Sequence, residues 1–160
     1  MKPVLRQAAM AAAILFAAGA ASAGVTVTYK KPDQFADVPH AQWEREAMLK
    51  RLTTHFNKLA DSLPAGQQLE VEVLDIDLAG TVDSTLRQGA MDIRVINRGA
   101  DWPHMQLRYT ITENGKAIKT GEDRLADQNY AHRPNRYKND ELRFEKQMLD
   151  DWFKASVAQR

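Results

Sequence analysis

The chain has 160 residues and no cysteine, and its 22 basic side chains nearly balance its 21 acidic ones, for a formal charge of +1. This balance argues against a nucleic-acid-binding protein and against a protein held on an anionic membrane surface. The lack of cysteine excludes disulfides, thiol catalysis and a lipid anchor attached to an N-terminal cysteine.

The first 23 residues have the three parts of a secretory signal peptide. Lys2 and Arg6 form its positive end, residues 8–20 form its apolar run, and Ala21-Ser22-Ala23 is an A-x-A cleavage site. An uncleaved membrane anchor is the alternative, but such a helix needs about 20 strongly apolar residues, and this run is short and mostly alanine. We therefore expect export to the periplasm, cleavage after Ala23 and no membrane insertion afterwards.

Cleavage would leave residues 24–160 as the mature chain, with a charge of −1 because Lys2 and Arg6 are lost. The remaining 137 residues are close to the usual size of one domain, and they suffice for a core without disulfides. We expect a single soluble globular domain.

Two strands and an intervening helix are predicted at the start of the mature chain. Residues 24–30 alternate between apolar and polar positions, as a half-buried strand does. Over residues 41–63 the apolar positions recur every three or four residues, which is the spacing of one helical stripe, and Pro64 and Gly66 end the helix. Residues 68–78 form a second strand. A helix between two strands is the crossover that a parallel pair requires, so a β-α-β unit is expected.

Three further strands and a second helix are predicted after this unit. The strands cover residues 90–97, 105–112 and 116–125, and the helix begins at Asn139 or Asp140. The order β-α-β-β-β-β-α indicates an α+β fold, a two-layer sandwich in which two helices cover one face of a mixed β-sheet of about five strands. The other face would stay in water because its side chains are polar or charged. They are Glu70, Glu72, Asp92, Arg94, Gln106, Arg108, Thr110 and Thr112.

Asn114-Gly115 predicts a two-residue hairpin turn, because both residues tolerate the positive φ angles of a type I′ turn. The turn would set Ile111 opposite Ile118. With Ile118 facing the core, Leu125 would point away from it, so we expect a bulge at Gly121 to correct the phase.

Asp75 and Asp77 end the strand over residues 68–78, where the apolar positions change parity after Val73. Either a bulge near Leu74 restores the core phase and turns both carboxylates outward, or both carboxylates point inward. We favour the bulge, because it needs one extra residue whereas two adjacent buried carboxylates need two sets of partners. Paired carboxylates can bind a divalent cation or exchange protons, but calcium takes about 6 to 8 oxygens, so two solvated aspartates are the simpler interpretation.

A polar connector over residues 127–140 is long for a compact domain. Its cationic and aromatic side chains could bind an anionic or glycan ligand by charge-assisted hydrogen bonds and stacking. The simpler interpretation, which we favour, is a connector that Tyr130 and Tyr137 hold against the domain. The candidate ligand- or partner-binding residues are Asp75, Asp77, Asp127, Asn129, Tyr130, His132, Arg133 and Arg136.

Glu145 falls within the apolar arc of the last helix, between Leu149 and Trp152. A buried carboxylate is either paired or protonated. Glu145 is therefore either an acid of raised pKa or, as we favour, the partner of an arginine. Trp102-Pro103 is expected to be a packing corner rather than a ligand platform.

The sequence contains no complete catalytic set. Its four histidines lack metal-ligand spacing, and it has no HExxH, GxSxG or glycine-rich phosphate loop. We therefore expect a non-catalytic periplasmic module, without metal or cofactor, that binds a protein or a small ligand through the open sheet face and the connector. The alternative is a carboxylate- or cation-dependent hydrolase that uses Asp75, Asp77 and Asp127.

Four stretches of the mature chain together carry a family resemblance. They are residues 75–80 (DIDLAG), Trp102-Pro103, residues 127–130 (DQNY) and residues 145–153 (EKQMLDDWF). In combination they resemble the uncharacterised bacterial family known as domain of unknown function 3016, over residues 25–153. The resemblance implies a signal peptide and a single exported domain in Gram-negative bacteria, and it implies no activity, ligand or catalytic residue.

The purified protein is predicted to begin at Gly24, because Ala21 and Ala23 present the small side chains that the signal peptidase accepts. Intact-mass measurement of the protein from periplasmic extracts tests this. A mass that still includes residues 1–23 would contradict cleavage and favour a membrane anchor.

Overall fold

The computed structural model describes residues 23–89, 91–96 and 101–158, so the predicted signal peptide before Ala23 lies outside the described residues. Its strands are β1 Gly24–Tyr29, β2 Gln67–Asp77, β3 Thr81–Gln88, β4 Met91–Val95, β5 His104–Glu113 and β6 Lys116–Ala126. Its α-helices are α1 Gln42–Ala60 and α2 Arg143–Trp152, with a 3₁₀ turn at Pro32–Gln34 and a π-helical turn at Phe153–Val157 after α2.

The main sheet has four strands in the order β1-β2-β5-β6, and β3 pairs with β4 in a separate two-stranded sheet. β1 runs parallel to β2, in register from Gly24 opposite Gln68 to Tyr29 opposite Val73, while β5 and β6 are antiparallel to their neighbours. α1 is the crossover between the two parallel strands. The α+β class, the mixed sheet and the β-α-β unit are therefore confirmed.

One apolar core lies between the main sheet and both helices, so the helices cover the same face. Leu52 and Phe56 of α1 and Leu149 of α2 are fully buried in it. Trp152 lies at its centre, with its ring centroid 6.2 Å from that of Phe56 and 5.5 Å from that of Tyr109. Edge contacts of this kind add to the stabilisation that burial already provides.

The predicted bulge in β2 is present. The pairing of β2 with β5 shifts between Val73 and Asp75, so that Leu74 is the extra residue. After the shift Ile76 and Leu78 are buried, which restores the core phase. Asp75 and Asp77 consequently point away from the helices, as predicted.

The predicted strand over residues 90–97 does not join the main sheet. Residues 91–95 pair with β3, which the sequence pattern did not predict, while residues 90 and 97 lie outside the described part of the chain. Two orientations are therefore corrected. Ile93, which the alternation of this strand places on the core face, is exposed, and Arg94 points to the buried Glu145 instead of the open face. The backbone of β4 at Val95 lies very close to Gly80, which has a φ angle of +82°. Only glycine fits there, because a Cβ atom would lie 2.1 Å from the Val95 carbonyl oxygen.

The hairpin between β5 and β6 has the predicted turn but a different bulge. Asn114 and Gly115 have φ angles of 51° and 78°. The pairing shifts at Ile118, which is half exposed, so Ile111 faces Lys119 and the expected bulge at Gly121 is wrong. Gly121 lies directly opposite Tyr109, whose ring would be only 2.6 Å from a Cβ atom there. The Tyr109 ring therefore lies over Gly121, where a side chain would not fit.

Trp152→Ala should lower the free energy of unfolding by about 3 to 5 kcal/mol, because it empties the centre of the core. It also leaves the Asp123 carboxylate without the indole N–H that now donates to it at 2.9 Å. Trp43 is 55% exposed, so Trp43→Ala is the matched control, expected to change stability by less than about 0.5 kcal/mol. Urea melts of both variants test the pair. A loss below about 1 kcal/mol for Trp152→Ala would contradict the packing.

Candidate functional site

A pocket of about 390 Å³ opens where β2 ends and β5 begins. It is lined by Ala36, Asp37, Asp77, Gly80, Thr81, Asp101, Trp102 and His104. Three of these side chains are carboxylates, one is an imidazole and one is an indole. We name this site the acidic pocket. It contains Asp77, a candidate from the sequence, together with four chemically active side chains that the sequence did not single out as candidates.

Backbone hydrogen bonds bring Asp37 beside Asp77. The Asp37 N–H donates to the Ile76 carbonyl at 3.3 Å, and the Leu78 N–H donates to the Asp37 carbonyl at 3.2 Å. Asp37 therefore extends the edge of the sheet alongside the end of β2. The Gly80 N–H donates to the Asp101 carbonyl at 2.9 Å, which brings the third carboxylate residue to the same place.

The pocket raises the pKa values of two carboxyl groups. For Asp77 the main cause is burial, reinforced by the negative charges of Asp37, Asp75 and Asp101, while His104 partly offsets the rise. For Asp37 burial again dominates and Asp101 adds to it, against the Val82 N–H and the positive charge of Arg94. Burial is therefore the main reason that both charged forms are disfavoured, and for each carboxyl group Asp101 adds to the effect.

Trp102 and His104 form the aromatic side of the pocket, with ring centroids 5.5 Å apart. The indole N–H of Trp102 is buried and has no acceptor among the residues that the structure describes. Nδ1 of His104 lies 3.7 Å from Oδ2 of Asp77, which is an ionic distance and too long for a hydrogen bond. Trp102 also packs against the small apolar cluster of Ala79, Tyr130 and Phe144, so the expected packing role holds beside its place in the pocket wall.

Glu145 is fully buried and bonds to Ala79, the residue before Gly80 of the pocket lining. Its Oε1 accepts the N–H of Ala79 at 2.9 Å and forms an ion pair with Arg94. Arg94 also donates to the carbonyl oxygens of Ala79 and Glu141, both at 2.6 Å. The favoured prediction of a buried ion pair with an arginine is therefore confirmed, and the arginine comes from β4.

Asp75 lies outside the lining of the acidic pocket. Its Oδ1 accepts the backbone N–H groups of Ala36 and Ile76, each at 3.0 Å. These bonds hold the chain around Ala36 against the bulge. Asp75 thus positions the segment that carries Asp37.

Charged side chains of the connector are paired with other residues of the same domain. Arg133 forms ion pairs with Asp127 and with Asp151 of α2, and Asp127 accepts the N–H of Asn129 at 3.2 Å. Tyr130 is buried against the Phe144 ring, at 4.7 Å between centroids.

Two further connector residues, His132 and Arg136, lie at the surface. Arg136 is largely exposed, with Nη1 3.8 Å from Oδ2 of Asp150, and His132 is exposed. Tyr137 donates to the same Asp150 carboxylate at 2.9 Å, and Nε2 of His55 lies 2.9 Å from it. The connector is thus attached to the body of the domain through Tyr130 and Tyr137.

The carboxylates of the hydrolase alternative do not line one pocket. Asp127 and Arg133 line a pocket of about 430 Å³ against α2 and Trp152, on the helix side of the sheet. Asp77 lies in the acidic pocket, away from the helices. Within residues 23–89, 91–96 and 101–158, no three His, Asp or Glu side chains are placed to hold a metal ion.

Residues 23–155 match the sequence model of a family described as "Protein of unknown function (DUF3016)". No curated protein and no solved structure matches the chain. Neither α1 nor α2 is long and apolar enough to cross a membrane.

Asp77→Asn should raise the free energy of unfolding slightly at pH 7. The raised pKa means that ionising Asp77 costs folded-state stability as the pH rises through that pKa. The side chain is 39% exposed, so solvent screening limits the gain to less than about 1 kcal/mol. The gain should vanish near pH 3, where the carboxyl group is protonated in both states.

Urea melts at both pH values test this, with Asp33→Asn as the control that removes one exposed charge outside the pocket. A loss above about 1.5 kcal/mol at pH 7 would instead make Asp77 a structural residue.

Proposed function

This chain belongs to the DUF3016 family, and on that premise we propose that it is a non-catalytic binding module of the periplasm whose acidic pocket takes a small organic amine. The observation that carries the proposal is the composition of the pocket. Asp37, Asp77 and Asp101 share about 390 Å³ with the indole of Trp102.

The electrostatics favour a positively charged ligand. Two of the three carboxyl groups have raised pKa values, mainly because burial disfavours their charged forms and to a smaller extent because neighbouring carboxylates repel them. A cation in the pocket would remove that repulsion and stabilise the ionised forms. The aromatic face of Trp102 would add a cation–π attraction, which carboxylates alone do not supply.

The geometry favours an ammonium group over a metal ion. The carboxylates of the described residues do not form a set of metal ligands, and the pocket is large for a bare ion. The buried indole N–H of Trp102 offers a donor, so a ligand with an oxygen acceptor beside its amine would satisfy it. The ligand class is therefore a small amine that carries hydroxyl or carbonyl oxygens.

Two further observations support binding without catalysis outside the cytoplasm. His104 and Asp77 are 3.7 Å apart, so this pair does not form the hydrogen-bonded dyad that activates a nucleophile. The A-x-A site and the apolar run before Gly24 support periplasmic placement.

A titration with glucosamine, followed by the NMR signal of the Trp102 indole N–H, tests the proposal at low ionic strength. Glucosamine should shift this signal in a saturable way, whereas glucose, the matched neutral sugar, should not. Asp77→Asn and Asp101→Asn should each weaken binding by about tenfold, which corresponds to about 1.4 kcal/mol. Asp33→Asn should bind like the wild type.

Two results would contradict the proposal. Equal binding of glucosamine and glucose would show that charge does not select the ligand. A saturable response to Mg²⁺ or Ca²⁺ with none to glucosamine would favour the cation-dependent hydrolase.

A further inference from the structure

We propose that the outer edge of β1 pairs with β1 of a second copy, which joins two four-stranded sheets into one sheet of eight strands. This inference concerns assembly and does not depend on the acidic pocket.

The two edges of the main sheet differ in their protection against pairing. β6 contains a bulge at Ile118 and five charged residues, and both features discourage another strand from adding to an edge. Its charged residues are Lys116, Lys119, Glu122, Asp123 and Arg124. β1, with the sequence GVTVTY, has no charge, no proline and no register shift against β2. β1 is therefore the edge that is open to pairing.

The outward backbone groups of β1 can be assigned from one hydrogen bond. The Lys30 N–H donates to the Val73 carbonyl at 2.9 Å, and Tyr29 lies opposite Val73. In a parallel pair alternate residues turn their backbone groups to the neighbour, so Lys30 and the even-numbered residues face β2. Val25, Val27 and Tyr29 consequently turn theirs outward, and in the described part of the chain those groups have no backbone partner.

The sequence of β1 is complementary to itself about Val27. In an antiparallel pair with its axis there, Val27 faces Val27 of the second copy and Val25 faces Tyr29 of the second copy. All three have outward backbone groups, so this register would form about six backbone hydrogen bonds. Thr26 would face Thr28 of the second copy on the open side of the sheet. Aromatic to β-branched pairs and threonine pairs are both favourable cross-strand contacts.

The contacts already present fit this register. The Tyr29 hydroxyl donates to the Leu49 carbonyl at 3.1 Å, so the ring is fixed beside α1 before any partner arrives. Lys30, which would face Gly24 of the second copy, is held by Glu72 at 2.9 Å on its own chain. Lys30 therefore keeps its own ion pair in this register. A second copy is favoured over an unrelated peptide because the same six residues satisfy both sides.

Charged substitutions at the exposed Thr26 and Thr28 test the inference. The oligomeric state of each purified protein is measured by sedimentation equilibrium. The wild type should be a dimer. Thr26→Lys combined with Thr28→Lys places like charges opposite each other twice and should give a monomer. Thr26→Lys combined with Thr28→Glu places opposite charges in the same positions and should restore the dimer. Both double variants leave the core unchanged, because Thr26 and Thr28 point away from it.

Two results would overturn the proposal. One is a wild type that stays monomeric up to millimolar concentration. The other is a dimer that persists in the double-lysine variant, since it would have to use another surface. Far-UV circular dichroism and urea melts must first show that both variants fold like the wild type. Glucosamine binding should be unchanged in them, which separates this test from that of the pocket.

Discussion

The ion pair between Glu145 and Arg94 holds three separate parts of the fold in place. Glu145 belongs to α2, Arg94 belongs to β4, and Ala79 in the turn after β2 bonds to both. A fully buried carboxylate is costly unless it is paired, so the guanidinium group that β4 supplies stabilises α2 in this position. The small sheet is thereby tied to the large one. Gly80 and Thr81 of the acidic pocket directly follow Ala79 at this junction.

Local patterns predicted those parts of the fold that local chemistry determines. The alternation in β1 and β2 and the spacing in α1 gave the parallel unit, and the change of parity after Val73 gave the bulge. Glu145 was found as a buried charge because it lies within an apolar arc. β3 was missed because its sequence, TVDSTLRQ, does not alternate regularly and becomes a strand only by pairing with β4. At Ile118 a large apolar side chain suggested burial, yet the Tyr109 ring fills the core over Gly121.

The candidate site was predicted only in part, and the reason is its construction. Asp37, Asp77 and Asp101 lie far apart in the chain and meet through backbone hydrogen bonds at the end of β2. The spacing of these three aspartates along the chain does not predict that they lie together. Asp77 was a candidate only because it follows the predicted bulge. The connector shows the reverse case. Its composition suggested a ligand site, but Arg133 is already occupied by Asp127 and Asp151. Composition identifies charge, whereas the fold decides whether that charge is free.

The parallel pairing of β1 also affects the order in which the strands can pair during folding. Gly24 pairs with Gln68, which is 44 residues later in the chain, and all of α1 lies between them. Closing so long a loop carries an entropic cost that neither strand offsets until the other is present. β1 is therefore secured only once α1 and β2 have formed, and until then both edges of this strand are open to other chains.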